Sequence, residues 1–112
     1  MNDLGQSIIA ANQRIKAVED VEDVVKETPL LASVEFSQRT GADFLLKCEH
    51  RQRTGSFKMR GAMNKVLCLN ADERSQGIIT ASSGNHGMAT AEAARIVGVD
   101  VTIYLQIGRA HV

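Results

Sequence analysis

The chain has 112 residues, a length that suits one domain at about 100–200 residues each. An apolar share of 44% and a charged share of 23% belong to a globular protein and exclude a disordered one. Thirteen basic residues balance thirteen acidic ones, so bulk charge gives no pull toward nucleic acid or a membrane surface.

No apolar run approaches the roughly 18 residues of a membrane span. Met1-Asn2-Asp3-Leu4 lacks the basic start and apolar stretch of a secretory signal. Cys48 and Cys68 are far apart, and with His50, His86 and His111 they show no metal-ligand spacing. These features predict a soluble cytoplasmic protein with reduced thiols, no metal held by these residues, and no nucleic-acid or membrane partner.

In chain order, Ile8, Ala11, Ile15, Val18, Val21 and Val25 recur at three- and four-residue steps, which predicts a helix from 7 to about 25. Asp20, Glu22 and Asp23 oppose the dipole at its later end, leaving open a break or a second short helix near Glu22. Thr28-Pro29 closes the segment, because a residue before proline leaves helical geometry. A short helix is expected from 33 to 39, with Gly41 as its stop.

Phe44-Leu45-Leu46-Lys47-Cys48 reads as a buried strand. Met59, Ala62, Met63, Val66 and Leu67 follow the spacing of an amphipathic helix. Gly77-Ile78-Ile79-Thr80-Ala81 reads as a second strand. Met88, Ala91, Ala94, Ile96 and Val97 give a helical face ended by Gly98, and Val101-Thr102-Ile103-Tyr104-Leu105 a third strand. The alternation argues for an α/β fold with a largely parallel sheet and flanking helices.

Six basic residues (Lys47, Arg51, Arg53, Lys58, Arg60 and Lys65) face one acid, Glu49, between 47 and 65. Phe57 is the only aromatic residue among them, too little for a nucleic-acid surface. Charge alone reads as a solvated loop and helix face. A site for a small anion stands beside that reading, since Thr54-Gly55-Ser56 precedes a helix start. Lys58 falls in the first helical turn, where the dipole disfavours an ammonium and favours the free amine of Schiff-base chemistry.

The segment Ala81-Ser82-Ser83-Gly84-Asn85-His86-Gly87 joins a strand to a helix, and ligands of open parallel sheets bind at such loops. Its glycines let amides approach a ligand, and its hydroxyls and carboxamide suit a carboxylate or phenolate. It reads equally as a capped turn, with Asn85 or Ser83 as N-cap and His86 on the surface.

Taken together, the two segments are more specific than either alone. Thr54-Gly55-Ser56-Phe57-Lys58-Met59-Arg60-Gly61-Ala62 resembles the lysine motif of the serine/threonine dehydratase family. Those are pyridoxal-phosphate enzymes that share the tryptophan synthase β-subunit fold and include serine racemase. Ser82-Ser83-Gly84-Asn85-His86-Gly87 resembles the family's substrate-carboxylate loop, in the same order and at the same spacing. Thr28-Pro29-Leu30 and Leu46-Lys47-Cys48-Glu49 add similar segments, so the likeness runs from about Ile8 to Leu105.

The resemblance implies that Lys58 holds pyridoxal 5'-phosphate covalently and moves a proton at the substrate Cα. Phe57 would pack beside the cofactor ring and Asn85 would bond its phenolic oxygen. Ser82, Ser83, Gly84, Asn85 and His86 would hold the substrate carboxylate. In racemase-like members the serine at 83 is a base on the opposite ring face, so Ser83 is the second catalytic candidate. His86 and Ser56-Phe57-Lys58 argue against cysteine synthases, and Arg60 is expected to be structural.

The implied reaction is deamination of serine or threonine to a 2-oxo acid and ammonia, with amino-acid racemisation as the alternative. A non-enzymatic short protein that binds an anion or partner through 82–87 is a further alternative. A homo-oligomer acting on a small amino acid is expected.

The chain is further expected to be the N-terminal portion of such an enzyme, with 1–76 from a larger subdomain and 77–106 from a smaller one. The phosphate cup and the ligands of any divalent cation would then lie beyond Leu105, leaving these residues inactive alone. Residues 107–112 match what ATC-GGA-AGA-GCA-CAC-GTC encodes, a string that resembles a sequencing adapter. They are expected to be non-native, with Gln106 a hybrid codon.

Overall fold

The computed structural model describes residues 3–18 and 24–106. The elements run α1 (Asp3–Lys16), β1 (Leu30–Ala32), α2 (Val34–Thr40), β2 (Leu45–Lys47), two 3-10 turns (Glu49–Arg51 and Arg53–Gly55), α3 (Lys58–Leu67), α4 (Ala71–Gln76), β3 (Ile78–Ala81), α5 (Asn85–Val97) and β4 (Val101–Tyr104). The α/β expectation holds. The strands form two pairs, β1 antiparallel to β2 and β3 parallel to β4.

The parallel pair is a strand–helix–strand unit, since parallel neighbours need a crossover and α5 supplies it. Ile78 lies opposite Val101 and Ala81 opposite Tyr104. Gly77 opens β3 at φ 80°, and a Cβ there would lie 3.0 Å from the Asp100 carbonyl oxygen. That same oxygen accepts the Ile78 amide at 2.8 Å, so the register needs glycine beside it.

The core lies between α3 and α5. Met59 and Met63 are fully buried, and with Ala62 and Val66 they meet Ala89, Ala93 and Val99. Alanines on α5 leave room for the two methionines, whose flexible thioether chains fill the space. Burying each methionine contributes roughly 1.5–3 kcal/mol. This is the face that the spacing of α3 predicts.

Several expectations change. The first helix ends at Lys16, and Val24 is a buried bend residue of the core, not a helical one. Residues 19–23, where a break was open, lie outside the described residues, as do 107–112. The buried face of α5 is Gly87, Ala89, Thr90, Ala93 and Ala94, while Met88 is exposed. Packing against α3 selects the small residues and turns Met88 away.

The strand predicted as buried is exposed, with Leu45 at 53%. It pairs with β1, a strand the sequence pattern does not announce, and all three residues of each strand are exposed. α4 was also not anticipated. It has no buried residue, and a capping box between Asn70 and Glu73 holds its start. The helix after Ser33 is as expected, with Ser33 as N-cap and Gly41 left-handed at its end.

Candidate active site

Lys58 is the first residue of α3. The chain reaches it through a tight turn in which Thr54 (φ 67°) and Gly55 (φ 75°) are both left-handed. A non-glycine residue in that region is strained and persists only where its surroundings determine it. Ser56 follows, buried, and its Oγ accepts the Lys58 amide at 3.4 Å. The Lys58 Nζ lies 5.2 Å from the centroid of the Phe57 ring. Among the described residues its ammonium has no other partner.

Phe57, Lys58 and His86 line one cleft of about 460 Å³, whose floor includes Val66, Ile78 and Thr90. The walls are mostly apolar, with a second amine, Lys65, further along α3.

The loop after β3 is organised by Ser82. Its Oγ accepts the amides of Gly84 (3.2 Å) and Gly87 (3.0 Å). Gly84 is the N-cap of α5, and the side chain that takes an amide of the first turn is Ser82, at Gly87, so neither Asn85 nor Ser83 has the capping role that was open to it. The Thr90 hydroxyl donates to the His86 carbonyl at 2.8 Å. The side chains of Ser83, Asn85 and His86 make no hydrogen bond among the described residues.

Ser82, Ser83 and Gly84 line a second concavity of about 300 Å³, with Met88 and Ile103. Lys58 and His86 are thus brought together, the two serines form a neighbouring recess, and Asn85 lines neither.

Gly87 is tied to this geometry. A Cβ there would lie 3.0 Å from the Ser82 carbonyl oxygen and 3.4 Å from the Ser82 Cβ. Backbone cannot yield as a flexible side chain would. Gly87→Ala is therefore expected to destabilise by about 1–3 kcal/mol despite better helix propensity. Gly61→Ala on α3, where a Cβ meets nothing within 4 Å, is expected to stabilise by about 0.5–1 kcal/mol. Thermal midpoints that move in opposite directions check the pair; equal shifts would refute the close-approach argument.

The basic stretch is in part internally neutralised. Arg60 donates to both carboxylate oxygens of Glu49, from Nε at 2.9 Å and Nη2 at 2.8 Å. That hydrogen-bonded guanidinium holds the Glu49 carboxyl down at about 2, against burial that raises it and with help from Thr28 and Gln52. Arg53 pairs with Glu92 at 3.2 Å, joining the turn to α5. Arg60 is structural, as expected. Sequence reading missed Glu49 and Gln52, although the one acid in a basic run was a signal that it would be paired.

No group of three or more His, Cys, Asp or Glu among the described residues could hold a metal ion. His111 lies outside them. Cys48 and Cys68 are free. No helix among the described residues is long and apolar enough to cross a membrane.

An amine at a helix start with no hydrogen bond or ion pair among the described residues, an aromatic ring beside it and an apolar cleft fit the aldehyde and ring of pyridoxal phosphate. Residues 21–109 match the family model described as "Pyridoxal-phosphate dependent enzyme", and the chain belongs to that family.

Among its relatives, an L-threonine ammonia-lyase of Thermotoga maritima is 43% identical over 90 residues, which cover 80% of this chain and 22% of that protein. A serine racemase of Dictyostelium discoideum is 42% identical over 76 residues, covering 68% of this chain and 24% of the relative. The crystal structure of the serine racemase from Dictyostelium discoideum superposes with a TM-score of 0.77 at 36% identity, covering 89% of this chain and 31% of that one. The chain therefore spans between about a fifth and a third of the length of these relatives.

Proposed function

We propose that this segment belongs to a longer pyridoxal-phosphate enzyme that deaminates L-serine or L-threonine to the 2-oxo acid and ammonia. The observation that carries the reading is the Lys58 amine, without a hydrogen bond or ion pair among the described residues, at the head of α3 in a cleft shared with His86. When bound, pyridoxal phosphate supplies a conjugated ring that accepts the electron pair left at the substrate Cα.

Lys58 anchors that group and then takes the proton from Cα. Phe57 would pack against the ring, and the Asn85 carboxamide, which lines neither concavity, would turn toward the cleft to donate to its phenolic oxygen. The Ser82 and Ser83 hydroxyls and the amides of Asn85 and His86 hold the substrate carboxylate at the N-terminus of α5, where amides and dipole favour an anion, while the Gly84 amide keeps the Ser82 hydroxyl in place. The Cα–H and Cβ–O bonds break, and the hydroxyl leaves with a proton as water. The released enamine takes up water and yields the 2-oxo acid and ammonia.

In this reading residues 1–76 come from a larger subdomain and 77–106 from a smaller one. The 112 residues are inactive alone, and the enzyme is a cytoplasmic homo-oligomer. Any divalent cation takes its ligands from outside this segment.

The Ser83 hydroxyl, without a hydrogen-bond partner among the described residues, supports a second reading, racemisation by a base on the opposite face. The test is an assay of the full-length protein on L-serine and L-threonine for oxo acid and for the D-enantiomer. Ser83→Ala is expected to lower the ratio of inversion to elimination about tenfold or more. No oxo acid and no inversion from either substrate would sink both readings.

A further inference from the structure

Gln52 lies between the two 3-10 turns and is 4% exposed. Its side chain uses both ends. Oε1 accepts the amides of Lys26 (2.7 Å) and Arg53 (3.0 Å), and Nε2 donates to the Lys26 carbonyl (2.9 Å) and to Glu49 Oε2 (3.4 Å). Its own carbonyl accepts the Gly55 amide at 2.8 Å.

Each of these bonds acts on the path to Lys58. Lys26 belongs to the strand of chain that leads into Thr28-Pro29. Glu49 is the carboxylate gripped by Arg60, two residues past Lys58. Arg53 and Gly55 flank Thr54, whose left-handed φ would otherwise relax. The turn is thus held from the side chain and the main chain of one buried residue.

We propose that Gln52 is the positioning residue for Lys58: it fixes the strained Thr54-Gly55 turn and ties it to Glu49 and Arg60, so that the amine enters the cleft at one angle. The inference rests on the reading of Lys58 as the cofactor lysine. A reactive group misplaced by about 1 Å can cost a hundredfold in rate while the substrate pocket is intact.

The test compares full-length wild type, Gln52→Glu and Gln52→Met, each loaded with pyridoxal 5'-phosphate. Borohydride fixation and peptide mapping locate the bound cofactor, and kcat, KM and the thermal midpoint are measured beside it. In Gln52→Met the label on Lys58 is expected to fall about fivefold or more and to scatter to other lysines. Its kcat is expected to fall about 10- to 100-fold with KM nearly unchanged. Gln52→Glu keeps the acceptor for the Lys26 and Arg53 amides but turns a carboxylate oxygen toward the Lys26 carbonyl and Glu49, and is expected to lose at least as much.

A folded variant with wild-type labelling and kcat overturns the positioning role. Label absent from Lys58 in the wild type sinks the cofactor-lysine reading itself. A measurement independent of any variant is amide hydrogen exchange in the wild type. The Arg53 and Gly55 amides are expected to be protected like those of α3, and free exchange there overturns the proposal.

Discussion

Lys58→Ala is expected, on the proposed function, to lower oxo-acid formation by the full-length protein about a thousandfold or more, since that reading has the residue both anchor the cofactor and move the Cα proton. Misfolding would not explain such a loss. The side chain is exposed, and among the described residues its amine interacts with the Phe57 ring alone, itself 61% exposed. A cation–π pair at such a site contributes about 0.5–1 kcal/mol. Alanine is the best helix former at the position vacated. The thermal midpoint should therefore stay near that of the wild type while turnover and the lysine-bound cofactor absorbance disappear. An alanine variant within tenfold of wild-type turnover would remove Lys58 from the mechanism.

Glu49→Ala should have the largest effect on stability. Its carboxyl is held at about 2, first by the hydrogen-bonded Arg60 guanidinium, and the unfolded chain returns it to 4.5. A folded value below the unfolded one means stability that is present above pH 4.5 and lost as the pH falls from there toward 2. The shift corresponds to about 3 kcal/mol. The alanine variant gives up that contribution at pH 7 and leaves Arg60 without its partner, at a cost of about 3 kcal/mol. Urea titrations of wild type and variant at pH 7 and pH 3 check this. The gap between them should narrow at the lower pH, and an equal gap at both would refute the account. Glu92, lowered by its hydrogen bonds from Arg95 and by the charges of Arg95 and Arg53, makes the wild type lose stability in the same direction. By contrast, the Arg39–Glu35 pair is about 70% exposed at both ends and should matter little.

How far the sequence could be read depended on how local each signal was. The methionine face of α3, the short helix beginning at Ser33 and its Gly41 stop come from spacing and capping within a few residues, and they stand as expected, with Ser33 as the cap. On α5, Ala94, Ile96 and Val97 face the core as expected, and the misreading was at the start of the helix, because Met88 and Ala89 are both apolar. Only the approach of α3 decides that the smaller one turns inward. The run Phe44–Cys48 has the composition of a covered strand, yet its exposure depends on layers that no short window contains. At the site, residue types and order pointed to Lys58 and the 82–87 loop. What no pattern disclosed was how they are held: a left-handed threonine, a serine that takes two amides, and a buried glutamine reaching back to Lys26.

The pairing of α3 with α5 also bears on how the chain emerges during synthesis. The hydrophobic cluster draws on residues from Val24 to Val99, with most of its mass in two helices separated by one short helix and one strand. Contacts of such modest sequence separation form early and need no distant partner. The cleft that holds Lys58, whose β3 wall pairs with Val101–Tyr104, can therefore take shape on the ribosome once Tyr104 has cleared the exit tunnel. Any later portion of a longer chain would meet a preformed half-site as it is made, and on the proposed function the cofactor aldehyde would meet Lys58 before the last residue is added.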